Sequence, residues 1–180
     1  MSTTLWLTGL PSSGKTTLAR ALTDRQRPIR AVEHLDGDAV RKNLFPELGY
    51  DRADRMENIR RIGELALMLA AHGVLAVVSV IAPYRHARDQ VRAAHEARGL
   101  TFVEVHVDAP LAVCAARDVK GLYALAERGQ ISGLTGVGDV YETPVAPDLR
   151  VDTAKQGVDE CVRCIERTLA HLEHGSGVHA

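Results

Sequence analysis

The stretch that decides the fold is "TGLPSSGKTT", residues 8–17. In it, Gly9 is followed by four residues and then by Gly14, Lys15 and Thr16, which is the spacing of a phosphate-binding loop. The glycines let backbone N–H groups converge on phosphate oxygens, and the start of a helix adds a favourable dipole. The bland alternative is a glycine turn that only caps a helix. The spacing favours a nucleotide site in which Lys15 bridges the β- and γ-phosphates and Thr16 binds Mg²⁺.

Strands and helices alternate on both sides of this loop. Apolar segments predict strands at 3–9, 29–38, 73–83, 101–110 and 147–153, and amphipathic segments predict helices at 15–26, 53–73, 84–99, 110–118 and 158–174. This alternation predicts an α/β fold of the P-loop NTPase type, with a mainly parallel sheet between two layers of helices. Ligands in such folds bind at the carboxyl edge of the sheet.

The chain divides into one predicted domain and two special segments. Residues 1–174 form the domain, because 180 residues suffice for one substantial core and not for two. Within it, residues 119–144 contain five glycines and little apolar periodicity beyond one short helix, which predicts a mobile lid rather than core. The tail, residues 175–180, is expected to be disordered.

Composition excludes several classes of protein. The net charge of −1 argues against nucleic-acid binding, and no apolar run is long enough to span a bilayer. The N-terminus has no basic leader and three cysteines make no disulfide framework, so we expect a cytoplasmic protein. Cys161-x-x-Cys164 could indicate a metal or redox site, but its helical context without a second cysteine pair favours packing.

Two acids end the second predicted strand, in "LDGDAVRKNL" (35–44). In a P-loop fold, Asp36 and Asp38 lie beside the phosphate loop. One carboxylate there can orient Mg²⁺ and its water, and the other can accept a proton from an attacking hydroxyl. The alternative is an Asp-Gly turn with a helix N-cap at Asp38, and the two interpretations are compatible.

Basic and amide side chains follow at the starts of the next two helices. Arg41 lies one turn after the acids, and Arg55 and Asn58 share one face of the long helix at spacing i, i+3. A solvated basic face is the common explanation of such a pattern. Their place at the border of the apolar face favours the grip of an anionic substrate that carries phosphate or sulfate.

Seven segments together resemble the adenylylsulfate kinases. They are "GLPSSGKTT", "LDGDAVR", "LGYDRADRMENIRR", "VSVIAPYR", "RDVKGLY", "LTGVGDVYETP" and "DLRVDT", in the order and spacing of that family. The resemblance runs from residue 4 to about residue 153. It implies a kinase that transfers the γ-phosphate of ATP to the 3′-hydroxyl of adenosine 5′-phosphosulfate (APS), with Mg²⁺, to give 3′-phosphoadenosine 5′-phosphosulfate (PAPS) and ADP. It also suggests a homodimer.

The resemblance implies a role for each matching residue. Asp38 is the base or Mg²⁺-linked carboxylate, supported by Asp36 and Lys15, and the metal ligands are Thr16 and Asp38. The implied ATP-binding residues are Gly9, Leu10, Pro11, Ser12, Ser13, Gly14, Lys15, Thr16, Thr17 and Arg117. The implied acceptor-binding residues are Asp38, Arg41, Tyr50, Arg55, Asn58, Ile81, Ala82, Lys120 and Leu134, with Tyr50 stacking on adenine and Lys120 beginning the lid.

Three positions depart from the family pattern. The lid reads "ISGLTG" (131–136), so Ser132 replaces a lysine and Leu134 replaces an aromatic ring that would complete a sandwich around adenine. Ala82 stands where many members have a serine. Loss of one stacking partner weakens base binding by about 1 kcal/mol. Two alternatives therefore stay open: a related kinase of a different nucleotide or small-molecule hydroxyl, and a non-catalytic nucleotide-sensing module.

Overall fold

The computed structural model describes residues 3–175, in which five strands and seven helices alternate. The strands are β1 (Thr3–Thr8), β2 (Val32–Asp36), β3 (Leu75–Ser79), β4 (Thr101–Asp108) and β5 (Leu149–Asp152). The helices are α1 (Lys15–Gln26), α2 (Gly37–Leu44), α3 (Arg52–Ala71), α4 (Arg85–Glu96), α5 (Leu111–Arg117), α6 (Leu122–Glu127) and α7 (Val158–Gly175). The predicted disordered tail lies outside the described residues except for Gly175, which ends α7.

The five strands form one parallel sheet in the order β2-β3-β1-β4-β5. β1 lies at the centre, where all six of its residues are buried. A strand that is covered on both faces needs apolar side chains on both, which explains the continuous "LWL" run. The predicted α/β fold with a mainly parallel sheet is confirmed.

Helices cover both faces of the sheet, as alternation of side chains along the strands requires. On one face, Leu5 and Leu7 of β1 pack in a cluster with residues of α1 and α7. On the other face, Trp6 packs in a second cluster with residues of α3 and α4. Cys161 belongs to the first cluster and Cys164 packs against it, which agrees with a packing role.

The phosphate loop and the two acids meet at the carboxyl edge of this sheet. The loop follows β1, and Asp36 ends the neighbouring β2 and caps α2. Its carboxylate accepts hydrogen bonds from the backbone N–H groups of Asp38 (3.1 Å) and Ala39 (3.2 Å). The alternative that placed the N-cap at Asp38 is therefore wrong by two residues, because the chain turns into the helix at Gly37.

Residues 119–144, hereafter the covering segment, contribute to a small third core. Tyr123 and Leu134 are buried together with Ala109 and Cys114. Apolar residues of the segment thus pack into a core through α6 and the turns rather than along one periodic face. Its mobility stays a prediction.

No helix within residues 3–175 is long and apolar enough to cross a membrane. The three cysteines are free, with Cys114 and Cys161 buried and Cys164 partly buried.

Candidate active site

The phosphate loop has a backbone that only certain residues allow. Gly14 adopts φ 101° at the N-cap of α1, and Ser12 adopts φ 61°, both in the left-handed region. A Cβ on Gly9 would lie 2.3 Å from the carbonyl oxygen of Val107, so the loop can approach β4 only with glycine there. Ser13 closes the turn through an N–H bond of 3.1 Å to the carbonyl of Leu10.

Lys15 lies inside the curve of this loop. Its ammonium group donates to the carbonyls of Gly9 (2.9 Å) and Leu10 (2.6 Å) and is almost fully buried. Burial lowers the pKa of Lys15 to about 8, and the negative charge of Asp38 partly opposes that shift. The loop thus holds a partly desolvated cation where the phosphates of a nucleotide would lie.

Thr16 and Asp36 form an oxygen pair beside the loop. The Thr16 hydroxyl donates to Oδ2 of Asp36 at 2.8 Å, and the Ser79 hydroxyl lies 3.3 Å from the same oxygen. Burial alone raises the pKa of Asp36, but hydrogen bonds from Thr16 and from the backbone N–H of Ala39 outweigh it and hold the pKa below its usual range. A hydroxyl and an ionised carboxylate are ligands that suit Mg²⁺.

Asp38 has a different partner. Its carboxylate forms an ion pair with the ammonium group of Lys120 at the start of the covering segment, and both side chains are more than half exposed. The two predicted acids are thus divided: Asp36 contacts Thr16 and Asp38 contacts Lys120. Among residues 3–175, no three His, Cys, Asp or Glu side chains are grouped so as to hold a metal ion.

The back of the phosphate loop is braced by residues far along the chain. Arg117, a predicted ATP ligand, donates to the hydroxyl (3.1 Å) and carbonyl (2.6 Å) of Thr153. The Thr153 hydroxyl in turn donates to the carbonyl of Ser13 at 2.8 Å, and the Tyr123 hydroxyl donates to that of Pro11 at 3.0 Å. Thr153 and Tyr123 were missed as loop contacts, although the segments "DLRVDT" and "KGLY" carried them.

Two further predicted ATP ligands differ in their surroundings. Leu10 packs against the small core of the covering segment, and Thr17 is exposed on the first turn of α1. The covering segment therefore contacts the phosphate loop through Leu10.

Arg41 and Tyr50 lie together on the predicted acceptor side. The Arg41 guanidinium is 4.7 Å from the centre of the Tyr50 ring and donates to the backbone carbonyls of Leu48 (3.4 Å) and Gly49. Burial lowers the pKa of Arg41 from its usual value. Tyr50 is 72% exposed, so its ring offers a free face to a planar ligand.

Arg55 connects this side to the covering segment. It donates through Nε to the carbonyl of Tyr50 (2.6 Å), through Nη1 to the hydroxyl of Thr135 (2.6 Å) and through Nη2 to the carbonyl of Gly133 (2.7 Å). Nη1 also lies 3.5 Å from Oδ2 of Asp139. The structure therefore uses the predicted anion ligand to fasten the segment over the site.

The remaining predicted acceptor residues lie in three different surroundings. Asn58 is 4% exposed, and its Oδ1 has no hydrogen-bond partner among the described residues. Ile81 and Ala82 form the turn after β3, where Ala82 has φ 45° and is buried. Leu134 is only 7% exposed and packs inward on Cys114 and Tyr123, so it is not brought to the free face of Tyr50.

Known proteins of one family are similar to this chain over most of its length. The family model described as adenylylsulphate kinase matches residues 1–152. The adenylyl-sulfate kinase of Synechococcus sp. (strain JA-3-3Ab) is 48% identical over 167 residues, which cover 92% of this chain and 93% of the relative.

Two solved structures are similar over most of the chain. The Mycobacterium tuberculosis APS kinase CysC, in complex with AMPPNP and APS, superposes with a TM-score of 0.90 at 38% identity, covering 94% of this chain and 98% of that one. The hexameric APS kinase of Thiobacillus denitrificans gives a TM-score of 0.72 at 37% identity, covering 94% of this chain and 29% of that one. The chain belongs to the adenylylsulphate kinase family.

Proposed function

We propose that this protein transfers the γ-phosphate of ATP to the 3′-hydroxyl of APS, giving PAPS and ADP. The observation that carries the proposal is the meeting of three elements at one sheet edge: Lys15 in its loop, the Thr16–Asp36 pair, and Asp38 at the start of α2. The similar mycobacterial enzyme, solved with an ATP analogue and APS, supports the same pair of ligands for this site.

The donor side of the site binds triphosphate. Backbone N–H groups of the loop and the start of α1 face the phosphates, and Lys15 exchanges its bonds to the carbonyls of Gly9 and Leu10 for phosphate oxygens. We assign the Mg²⁺ site to Thr16 with Asp36, rather than to Thr16 with Asp38, because only the first two are in contact. Bound Mg²⁺ supplies charge neutralisation on the β- and γ-oxygens.

Asp38 is the proton acceptor in this proposal. It lies exposed at the first turn of α2, where it can accept the proton of the attacking 3′-hydroxyl. Its ion pair with Lys120 must open for that step. An exposed pair of this kind contributes no more than about 1 kcal/mol, so a substrate hydroxyl and its anionic groups can displace it.

The acceptor side holds a base and an anion. Tyr50 offers its exposed ring to adenine, Arg41 and Arg55 bring positive charge, and the unsatisfied Oδ1 of Asn58 can accept a bond from the acceptor. Guanidinium groups bind sulfate and phosphate oxygens through paired N–H bonds, so the phosphosulfate suits this side of the site.

A screen of acceptors tests the proposal. ADP release is measured with Mg-ATP and either APS, other nucleotides or small alcohols, and the product from APS is identified as PAPS by mass spectrometry. We expect APS to give the highest kcat/KM. A higher kcat/KM with another hydroxyl would instead establish a related kinase of a different acceptor. The burial of Leu134 away from Tyr50 favours testing this alternative, because one stacking partner for adenine is missing. Tight nucleotide binding without turnover of any acceptor would establish a sensing module.

Two wider properties are also proposed. We infer a homodimer from the family resemblance, and the hexameric relative supports self-association in this family; light scattering after size exclusion tests it, and a monomer at micromolar concentration would contradict it. We place the protein in the cytoplasm because its three cysteines are free, and a fluorescent fusion tests this.

A further inference from the structure

Arg88 on α4 is a buried arginine outside the set of predicted site residues. It is 2% exposed, and all three nitrogen atoms of its guanidinium group donate hydrogen bonds. Nε donates to Oε1 of Glu104 (2.8 Å), Nη1 to the carbonyl of Ala82 (2.7 Å) and Nη2 to the carbonyl of Glu142 (2.7 Å). A buried cation needs hydrogen-bond partners for its charge, and here three of the five N–H groups donate to a carboxylate and two carbonyls.

The first carbonyl belongs to the acceptor-side turn. Ala82 has φ 45°, a left-handed conformation that is unfavourable for a non-glycine residue and persists only where its surroundings hold it. Arg88 holds the Ala82 carbonyl, and the Thr8 hydroxyl holds the adjacent Ile81 carbonyl at 2.6 Å. Thr8 directly precedes Gly9 of the phosphate loop, so the turn is fixed relative to that loop.

The second carbonyl belongs to the end of the covering segment. Besides accepting from Arg88, Glu142 donates through its N–H to the carbonyl of Pro83 at 2.8 Å. The preceding Tyr141 places its hydroxyl 3.0 Å from that of Thr8, and its ring lies 5.9 Å from the Arg88 guanidinium carbon. The end of the covering segment and the acceptor-side turn are therefore joined by the Arg88 guanidinium, beside the backbone bond between Glu142 and Pro83.

We infer that Arg88 is a positioning residue for the acceptor site. It sets the turn at 81–82 and the root of the covering segment at a fixed distance from each other, without contacting substrate itself. This inference rests on the proposed function, since it assigns the turn to acceptor binding. A lysine cannot replace it, because one ammonium nitrogen cannot reach three acceptors that are arranged around a planar fork.

Arg92 provides a matched control on the same helix. It lies one turn further along α4, donates to Asp148 at 2.7 Å and to the carbonyl of Phe102 at 3.3 Å, and lies 3.8 Å from Glu104. It thus shares the carboxylate partner of Arg88, but its bonds go to β4 and to the residue before β5. Arg92→Lys therefore disturbs the same charge network without loosening the turn or the segment.

The test compares Arg88→Lys, Arg92→Lys and the unmodified protein in three measurements. They are kcat and KM for APS, the Kd of ADP by calorimetry, and hydrogen exchange of residues 139–144. For Arg88→Lys we expect KM for APS to rise ten- to a hundredfold, since small displacements of positioning groups have effects of that size. We also expect faster exchange at 139–144 and an ADP Kd within about twofold of the unmodified value, because the phosphate loop keeps its own contacts. Arg92→Lys should match the unmodified protein.

Each other outcome has a defined meaning. Unchanged KM and exchange in Arg88→Lys would overturn the inference, as would equal losses of ADP binding and APS use in both variants. If Arg88→Lys does not fold, the paired change Arg88→Met with Glu104→Gln removes both charges, and the same exchange difference is expected; failure of that variant to fold would overturn the inference by assigning Arg88 to the core alone. If the unmodified protein does not use APS, the proposed function fails, whereas unchanged exchange at 139–144 would count against the role of Arg88 itself.

Discussion

The ammonium group of Lys120 forms an ion pair with the carboxylate of Asp38, 82 residues away in sequence. This pair connects the covering segment to the start of α2. Because both side chains are more than half exposed, the pair is weak and Asp38 stays available to a substrate.

Asp38→Asn should remove the proton acceptor and leave the fold intact. We expect kcat with APS to fall by about 10²–10⁴, the usual contribution of a general base, because the amide cannot take a proton. Thermal unfolding should be unchanged, since the side chain is exposed. Asp24→Asn, at an exposed ion pair with Arg27 on α1, serves as the control. Retention of kcat in Asp38→Asn would remove Asp38 from the mechanism.

Asp36 has two roles that substitutions can separate. Asp36→Asn keeps an N-cap oxygen for α2 but loses the charge opposite Thr16, so we expect weaker Mg²⁺ dependence of ATP binding at nearly unchanged stability. Asp36→Ala loses the cap as well and should cost a further ~1 kcal/mol in the free energy of unfolding. Calorimetric ATP titrations at several Mg²⁺ concentrations and urea unfolding measure the two effects. Equal loss of stability in both variants would contradict the separation.

The buried Lys15 predicts a pH dependence of nucleotide binding. Its pKa is lowered to about 8 by burial, so above that pH the free protein carries a neutral amine in the loop. Triphosphate oxygens favour the charged form and raise this pKa, so binding takes up a proton near pH 8–9 and ATP affinity falls as pH rises above 8. Calorimetry in buffers with different ionisation heats measures the uptake. Lys15→Met should bind ATP weakly and lose this uptake; the same uptake in the variant would assign it to another group.

The sheet, the loop and the acid pair could be predicted because each has a local signal. Alternating apolar segments give the strands, and Gly9 to Thr16 has a fixed spacing between strand and helix. The different partners of Asp36 and Asp38 could not be predicted, since two carboxylates two residues apart are equivalent in the sequence pattern. Only the start of α2 at Gly37 decides which one turns toward Thr16.

Contacts between distant segments were the part that sequence could not supply. Arg88 lies in a polar helical stretch and looks like a surface residue, yet it is buried against Glu104 and two carbonyls. Leu134 stands where a stacking ring was expected, yet it turns into the core of the covering segment. Both positions depend on how the covering segment folds back, which no periodicity in a glycine-rich stretch specifies.

We therefore expect adenine to be stacked on one side only, by Tyr50. Substitutions of Tyr50 and Leu134 test this. Tyr50→Ala should raise KM for APS about five- to a hundredfold, because one stacked base contributes ~1–3 kcal/mol. Leu134→Phe should not tighten APS binding. Instead it should lower stability by ~1–3 kcal/mol, because the added volume enters the packed space beside Cys114 and Tyr123.

Leu134→Met, which conserves volume, is the control for that substitution, and thermal unfolding with steady-state kinetics gives both readouts. A lower KM for APS in Leu134→Phe, with stability unchanged, would show that position 134 reaches the base when the site is filled. The covering segment would then have to rearrange on binding, since Leu134 is buried in this structure.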